Sequence, residues 1–283
     1  MRKALFVGIH LCALSAILVG VTWSAVVLCL TMYFIRMFGI TAGFHRYFSH
    51  RSYKTSRPFQ FILALLGTSA AQKGPLWWAA SHRHHHRHSD TEQDLHSPSL
   101  KGIWWAHVGW ILSPEYDDAD VRLVNDLAHF PELQLIEKYH FLPPLLLIPA
   151  MLLVGYLLPL AFPSIHLTPL SAVCWGAFMS TVILYHGTFA INSLAHVLGR
   201  QRFETGDESR NSLLLSLLTL GEGWHNNHHR YPSSERQGFY WWEIDITHYV
   251  LKLLSFFGIV WDLKGPPAKA FDGTHGRTTQ SLA

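Results

Sequence analysis

The chain has 283 residues, 49% hydrophobic and only 14% charged, with a net charge of +3 when histidine is neutral. Soluble domains carry about a quarter of charged residues, so the deficit points to a membrane protein, and so small a positive balance gives no footing for nucleic acid. Cys12, Cys29 and Cys174 stand alone in apolar runs with no CxxC pair, which argues against a disulfide framework and cysteine-ligated metal centres.

From Ala4 to Phe44 the sequence is almost unbroken apolar, with no Lys or Arg before Arg36. A bilayer crossing takes about 20 residues, so this run predicts two helices, 4–20 and 22–44, turning near Gly20 to Thr22. It is too long for a cleaved signal peptide. Arg57 to Ala80 is interrupted by Gln72, Lys73, Gly74 and Pro75 and reads as a re-entrant or interfacial segment. A polar region follows from Ser81 to about Lys138, with an acidic stretch from Pro114 to Asp120. Apolar sequence returns at 141–162 and 170–195, with a turn from Pro163 to Pro169, and an amphipathic stretch runs from Trp241 to Trp261. No Lys or Arg occurs between Ala4 and Ile35 or between Tyr139 and Gly199, so both termini and both polar regions are predicted to be cytoplasmic. The expected architecture is one all-α integral membrane domain over residues 1–283. Four transmembrane helices form two hairpins, and segments 45–140 and 196–283 build a cytoplasmic helical cap carrying a histidine-rich di-metal site.

The histidines are the chemical signal. His82 to His88 holds five histidines in seven residues, and on a helix His82, His85 and His86 share one face at i, i+3 and i+4. His225, His228 and His229 repeat that spacing. His45 and His50 close the second apolar run, and His196 ends the fourth with Asn192 one turn earlier. All lie at one predicted membrane boundary. Nine imidazoles exceed the four ligands of a structural zinc and suit two metal ions; ligand type alone leaves zinc, copper, iron and nickel open, and redox use favours iron. His84 and His88 read as solvated neighbours, and His10, His129, His140, His166, His248 and His275 as ordinary surface or interface residues. His186, inside a predicted span, is functional by default but has no assigned role.

His45-x4-His50, His82-x2-His85-His86 and His225-x2-His228-His229 resemble the three histidine boxes of membrane-bound fatty acid desaturases. Gly39-Ile40-Thr41-Ala42-Gly43, Asn192-Ser193-x2-His196, Gly221-Glu222-Gly223, His107-Val108-Gly109-Trp110 and Asp94-x-His96 narrow the resemblance to the stearoyl-CoA (acyl-CoA) Δ9 desaturase family, bacterial type, over roughly residues 20 to 262. The resemblance implies an oxidoreductase that uses O2 and two Fe ions to place a cis double bond, Δ9 by family, in a long-chain fatty acyl substrate. The nine histidines are then the metal ligands, with Asn192 reaching a metal through water and Asp94 and His96 orienting a ligand ring. Gln72, Trp78 and Thr188, with Phe189 beside it, are expected to hold the bend of the acyl tunnel, and Tyr33 to close its far end. The implied carrier is CoA. Ala80-Ser81 stands where animal relatives have Arg-Asp, and Ser113-Pro114-Glu115 where they have a basic pair, so an acyl-lipid substrate is the alternative. With no haem or iron–sulfur motif, a separate ferredoxin-like or cytochrome-like electron donor is required, and the bacterial inner membrane is the implied location. A fatty acyl hydroxylase on the same scaffold and, from another class, a histidine-rich metal transporter are the competing readings.

Overall fold

The structure is a computed structural model that describes residues 2–118 and 120–271. His275 lies outside the described residues. In chain order the main helices are α1 (Arg2–Leu18), α2 (Trp23–Ser49), α3 (Arg57–Ser69), α4 (Pro75–His88), α5 (Pro131–Lys138), α6 (Leu142–Ala161), α7 (Pro169–His196), α8 (Leu213–Leu218), α9 (His225–Arg230) and α10 (Ile246–Phe256). The strand content described is one two-residue pair, Lys54–Thr55 against Val260–Trp261, antiparallel, which ties the end of the chain beside the exit of α2.

Three helices, α2, α6 and α7, are long and apolar enough to cross a membrane, and they overlap three of the four expected spans. The fourth, α1, is apolar but shorter; at about 1.5 Å per residue its 17 residues reach roughly 26 Å. Leu5, Leu11, Ile17, Leu145, Leu146 and Leu153 are exposed on α1 and α6, a pattern suited to lipid contact. The interrupted segment after Arg57 forms two helices, α3 and α4. Ser56 caps α3 by accepting from Phe59 N–H, Pro58 occupies its first turn, and Pro75 opens α4 after Gly74.

α2 positions the histidine site. Its second half, Gly39–Ser49, is π-helical and buried throughout. π-turns often mark functional sites because the extra residue per turn re-aims side chains; here the wider turn carries His45 and delivers His50 just beyond it. The segment packs on α3 at very short range: a Cβ at Gly39 would sit 2.5 Å from the Leu66 carbonyl carbon, and one at Gly67 would meet the Phe44 ring at 2.4 Å. Glycine at those two points lets the helices touch backbone to backbone. Farther up α2, the fully buried Arg36 is held without a carboxylate: it donates to Met32 O, Ser69 O, Thr181 Oγ1 and Ser180 Oγ, and so staples α2 to the end of α3 and to α7.

Gly39→Ala is expected to destabilise the fold by about 1–3 kcal/mol through overpacking against an immovable backbone. Gly8→Ala, with nothing within 4 Å of the added methyl, should have little effect. Thermal unfolding of both variants in detergent checks this, the first losing midpoint temperature and the second keeping it.

Candidate metal centre

α4 and α9 are both helical through their histidines, so His82, His85 and His86, and His225, His228 and His229, each fall on one face as their spacing required. The two faces meet between the end of α2 and the end of α7. All nine predicted histidines are brought together there, in two groups: His45, His50, His82, His86 and His228, and His85, His196, His225 and His229, with potential ligand atoms of each group within 4.8 Å of one another. In the first group Nε2 faces Nε2: His50 to His82 at 2.7 Å, His86 to His82 at 3.0 Å, His86 to His228 at 2.9 Å and His45 to His228 at 3.0 Å. In the second, His196 Nε2 lies 3.1 Å from His225 Nε2.

Carboxylates explain which nitrogen is bare. His85 Nδ1 donates to Asp94 at 2.9 Å, His196 Nδ1 to Asp90 at 2.8 Å and His229 Nδ1 to Asp207 at 2.6 Å, while His45 Nδ1 pairs with Glu222. A carboxylate on Nδ1 fixes the proton there and leaves the Nε2 lone pair pointing into the cluster, the arrangement that orients imidazole toward a metal. His85 Nε2, His229 Nε2 and His228 Nδ1 are buried with no hydrogen-bond partner. Lone pairs aimed at one another across about 3 Å repel unless a cation lies between them, so this donor set fits metal ions in both groups. His96 stacks on His85 at 4.2 Å, donates its backbone N–H to Asp94, and completes a third grouping with that pair, His85, Asp94 and His96.

Burial, and then the repulsion of neighbouring imidazoles, holds His50, His82, His86, His225 and His228 well below the ordinary histidine value. Burial also brings His229 to about 4 against the opposing pull of Asp207, and His96 to about 3. The carboxylates move the other way. Burial raises Glu222, but His45 and Arg46 outweigh it and hold the group at about 2; Asp90, Asp94 and Asp207 are likewise held below the usual carboxylate range by their histidines. At neutral pH His50, His82, His86, His225, His228 and His229 are therefore uncharged, and the carboxylates behind the site are ionised.

Glu222 belongs to a second buried assembly. Arg46, 1% exposed, donates to Glu222, to both oxygens of Asp245 and to Glu235 O. The glycines beside Glu222 are fixed by approach distance: a Cβ at Gly221 would sit 2.3 Å from Asp245 Oδ1 and one at Gly223 2.1 Å from Ser216 N. The two asparagines inside the third histidine box stitch loops instead of facing the cluster. Asn226 accepts from Arg202 and Phe203 N–H, and Asn227 donates to Gln237 O.

A cavity of about 430 Å3 runs up to this site. Gln72, Trp78, Thr188, Phe189 and Asn192 line it beside His82 and His96, and Gln72 Nε2 donates to Thr188 Oγ1 at 3.1 Å. A smaller space of about 40 Å3 continues past Trp78, His45 and Thr188 to Met37. Tyr33 lines neither space. It is buried one helical turn before Met37, and its hydroxyl donates to Leu218 O at 2.5 Å. The outer part of the large cavity is lined by Leu5, Phe6 and Ile9 of α1 and by Pro144, Leu145 and Ile148 of α6.

His84 Nε2 donates to Gln93 O at 2.9 Å and stays outside the clusters. His10 is less ordinary than the sequence suggests: His186, left unassigned, lies between His10 and His107, 3.2 Å from His10 Nε2 and 3.0 Å from His107 Nε2. His107 continues to Ser193 Oγ at 2.9 Å. The three rings link α1, α7 and the segment between α4 and α5 behind the cavity wall of Phe6, Tyr185 and Phe189. The residues missed by sequence reasoning are Asp90, Asp207 and Glu222; the last sat in plain view inside Gly-Glu-Gly.

A helical chain with apolar spans, whose large cavity reaches His82 beside two clusters of histidine, is a membrane-type protein with a histidine-rich metal site. The family model for fatty acid desaturases matches residues 21–259, and the chain belongs to that family. It is 40% identical to the sn-1 stearoyl-lipid 9-desaturase of Anabaena variabilis, over 92% of this chain and 91% of that one. It is 39% identical to the sn-1 stearoyl-lipid 9-desaturase of Synechocystis, covering 94% and 80%. An acyl-CoA 5-desaturase of Anemone leveillei is 36% identical, covering 92% and 77%.

Two outcomes follow. Asp207→Asn should weaken retained metal about 10- to 100-fold, measured by chelator competition, whereas Asp262→Asn, on an exposed pair with Lys54, should not. For the metal-free protein the sign is set by the depressed histidines. In the unfolded chain they take up protons near pH 6.5, whereas in the folded protein His50 and His82 do so only well below that value and His229 near 4, so the thermal midpoint should hold above pH 6.5 and fall as pH drops from 6.5 toward 4.

Proposed function

We propose that the protein is a membrane-embedded, O2-dependent desaturase that places a cis double bond, at Δ9, in a saturated long-chain acyl group carried on a lipid. The observation that carries this reading is the cavity that runs from α1 and α6 to His82 and His96, with a smaller space beside it lined by His45, His85 and His225 of the two imidazole groups. A chain entering along exposed apolar helices would pass Phe189 and Gln72 and present two adjacent methylenes beside His82 and His96. Two iron ions held by the nine histidines, with Asn192 acting through water, would supply the O2 activation that an unactivated C–H bond demands and that no side-chain acid or base provides. Gln72 and Thr188, locked to each other, and Trp78 shape the bend; Asp94 and His96 hold His85; Met37 with Tyr33 behind it closes the inner end.

The carrier is where this reading departs from the CoA expectation. The outer lining belongs to lipid-exposed helices, Ala80 and Ser81 offer no charge to a nucleotide headgroup, and the relatives from Anabaena and Synechocystis are named as acting on lipid-linked stearoyl chains. The topology we propose is four spans, with α1 as the fourth, in a bacterial inner membrane. The histidine cap and both termini lie on the cytoplasmic side, as the Lys and Arg distribution supports. A separate one-electron donor completes the reaction.

The test is expression in a bacterial host unable to make monounsaturated fatty acids, with gas chromatography of its lipids and His85→Ala alongside. New Δ9 monoenes from the parent alone support the reading; hydroxy acids would move it to hydroxylation, and saturated lipids despite iron and a reductant would end it. In nanodiscs, a distearoyl phospholipid should be desaturated while stearoyl-CoA is left intact. Tyr33→Ala should widen acceptance toward longer chains, read as a shifted product ratio with mixed substrates.

A further inference from the structure

Resting on that desaturase reading, the atom balance requires an external reductant. Breaking one C–H bond on each of two neighbouring carbons and forming C=C releases two hydrogens. Reducing O2 to two waters takes those two hydrogens plus two electrons and two protons from outside. The electrons must enter where the outer surface comes closest to the histidines.

That surface carries an unusual distribution of arginine. Five of the nine clustered histidines are followed directly by Arg: Arg46, Arg51, Arg83, Arg87 and Arg230. Arg46 is buried among its carboxylates. The other four follow histidines that lie close together across the two groups: the His50 and His86 rings are 4.6 Å apart and the His86 and His229 rings 4.5 Å. Arg51 and Arg83 share Asp126, at 3.3 and 2.6 Å. Arg87 lies four residues beyond Arg83 on the same face of α4. Lys264 adds its charge by donating to Arg51 O at 2.8 Å. Arg87 and Arg230 are exposed. Among the described residues no carboxylate lies within ion-pair distance of Arg87, Arg230 or Lys264, so five cations share Asp126 alone. By contrast Arg57, Arg122, Arg202 and Arg210, away from this rim, each hold a carboxylate of their own.

We infer that the rim of Arg51, Arg83, Arg87, Arg230 and Lys264 is the docking surface for an acidic one-electron carrier protein, which delivers electrons through histidines one peptide bond from the contact. Charge complementarity names the partner's chemistry, and cations in excess over the one carboxylate among them steer association and orientation more than they add affinity. Arg51 holds a left-handed backbone, φ +51°, a conformation rare outside glycine.

The test uses the full-length, iron-loaded protein in nanodiscs of neutral lipid and an oxidised plant-type [2Fe–2S] ferredoxin as probe. At low salt, Arg87→Glu/Arg230→Glu should bind the ferredoxin at least tenfold more weakly than the parent, Arg87→Lys/Arg230→Lys should keep most of the binding, and the gap should close near 0.5 M salt, where charges beyond about 3–4 Å are screened. With dithionite as reductant, the Glu variant should form as much unsaturated product as the parent. Equal ferredoxin binding by parent and Glu variant would overturn the proposal. So would a loss seen only toward vesicles of anionic lipid, which would make the rim a membrane contact. A parent that binds ferredoxin through these arginines yet forms no unsaturated product with dithionite would overturn the desaturase reading and leave the docking surface standing.

Discussion

Everything in the cap depends on holding nine imidazoles side by side with their nitrogens aimed at one another. Burying a charged imidazole is costly, and burying several side by side is costlier still, which holds His50, His82, His86, His225, His228 and His229 below the ordinary histidine value and makes their lone pairs the site's reactive feature. Four of the nine are aimed by carboxylates on Nδ1, from Glu222, Asp94, Asp90 and Asp207. Facing Nε2 atoms would repel in isolation. The fold holds them there through three rigid supports: the π-helical end of α2, the face of α4 and the short α9.

Those supports depend in turn on buried polar work elsewhere. Arg46 gathers Glu222, Asp245 and Glu235 into one buried knot, and losing one member of such a knot strands buried charge at a cost of about 3–5 kcal/mol. The knot sets Glu222, which sets His45. Gly39 and Gly67 bring α2 against α3, and Arg36 ties both to α7, which carries Thr188, Asn192 and His196. The cavity and the histidines are thus walls of the same helices, and a substrate's position relative to the cluster follows from helix packing, not from a mobile loop.

Much of this was legible before the structure. The i, i+3, i+4 spacing put His82, His85 and His86 on one face because helical geometry leaves little choice, and hydropathy located α2, α6 and α7 to within a few residues. Gln72 and Thr188 were singled out by resemblance and meet by a direct hydrogen bond. What was hidden is tertiary. Asp90 reaches His196 across 106 positions and Glu222 reaches His45 across 177, and no local pattern links them. His10 looked ordinary and His186 unassignable because each gains its partner only when α1 packs on α7. Tyr33 was read from helix register alone. Tyr33 lines neither space and its hydroxyl donates to Leu218 O, whereas Met37, one turn on, lines the inner one.

The central claim is that the two imidazole groups are two metal sites of one redox centre. Metal analysis with Mössbauer spectroscopy on protein made in 57Fe-supplied cells addresses it directly. The account predicts two high-spin irons per chain in nitrogen-rich surroundings, both lost in a variant with His86→Ala and His196→Ala, one histidine from each group. A single iron, or full occupancy by one zinc with activity retained, would contradict it.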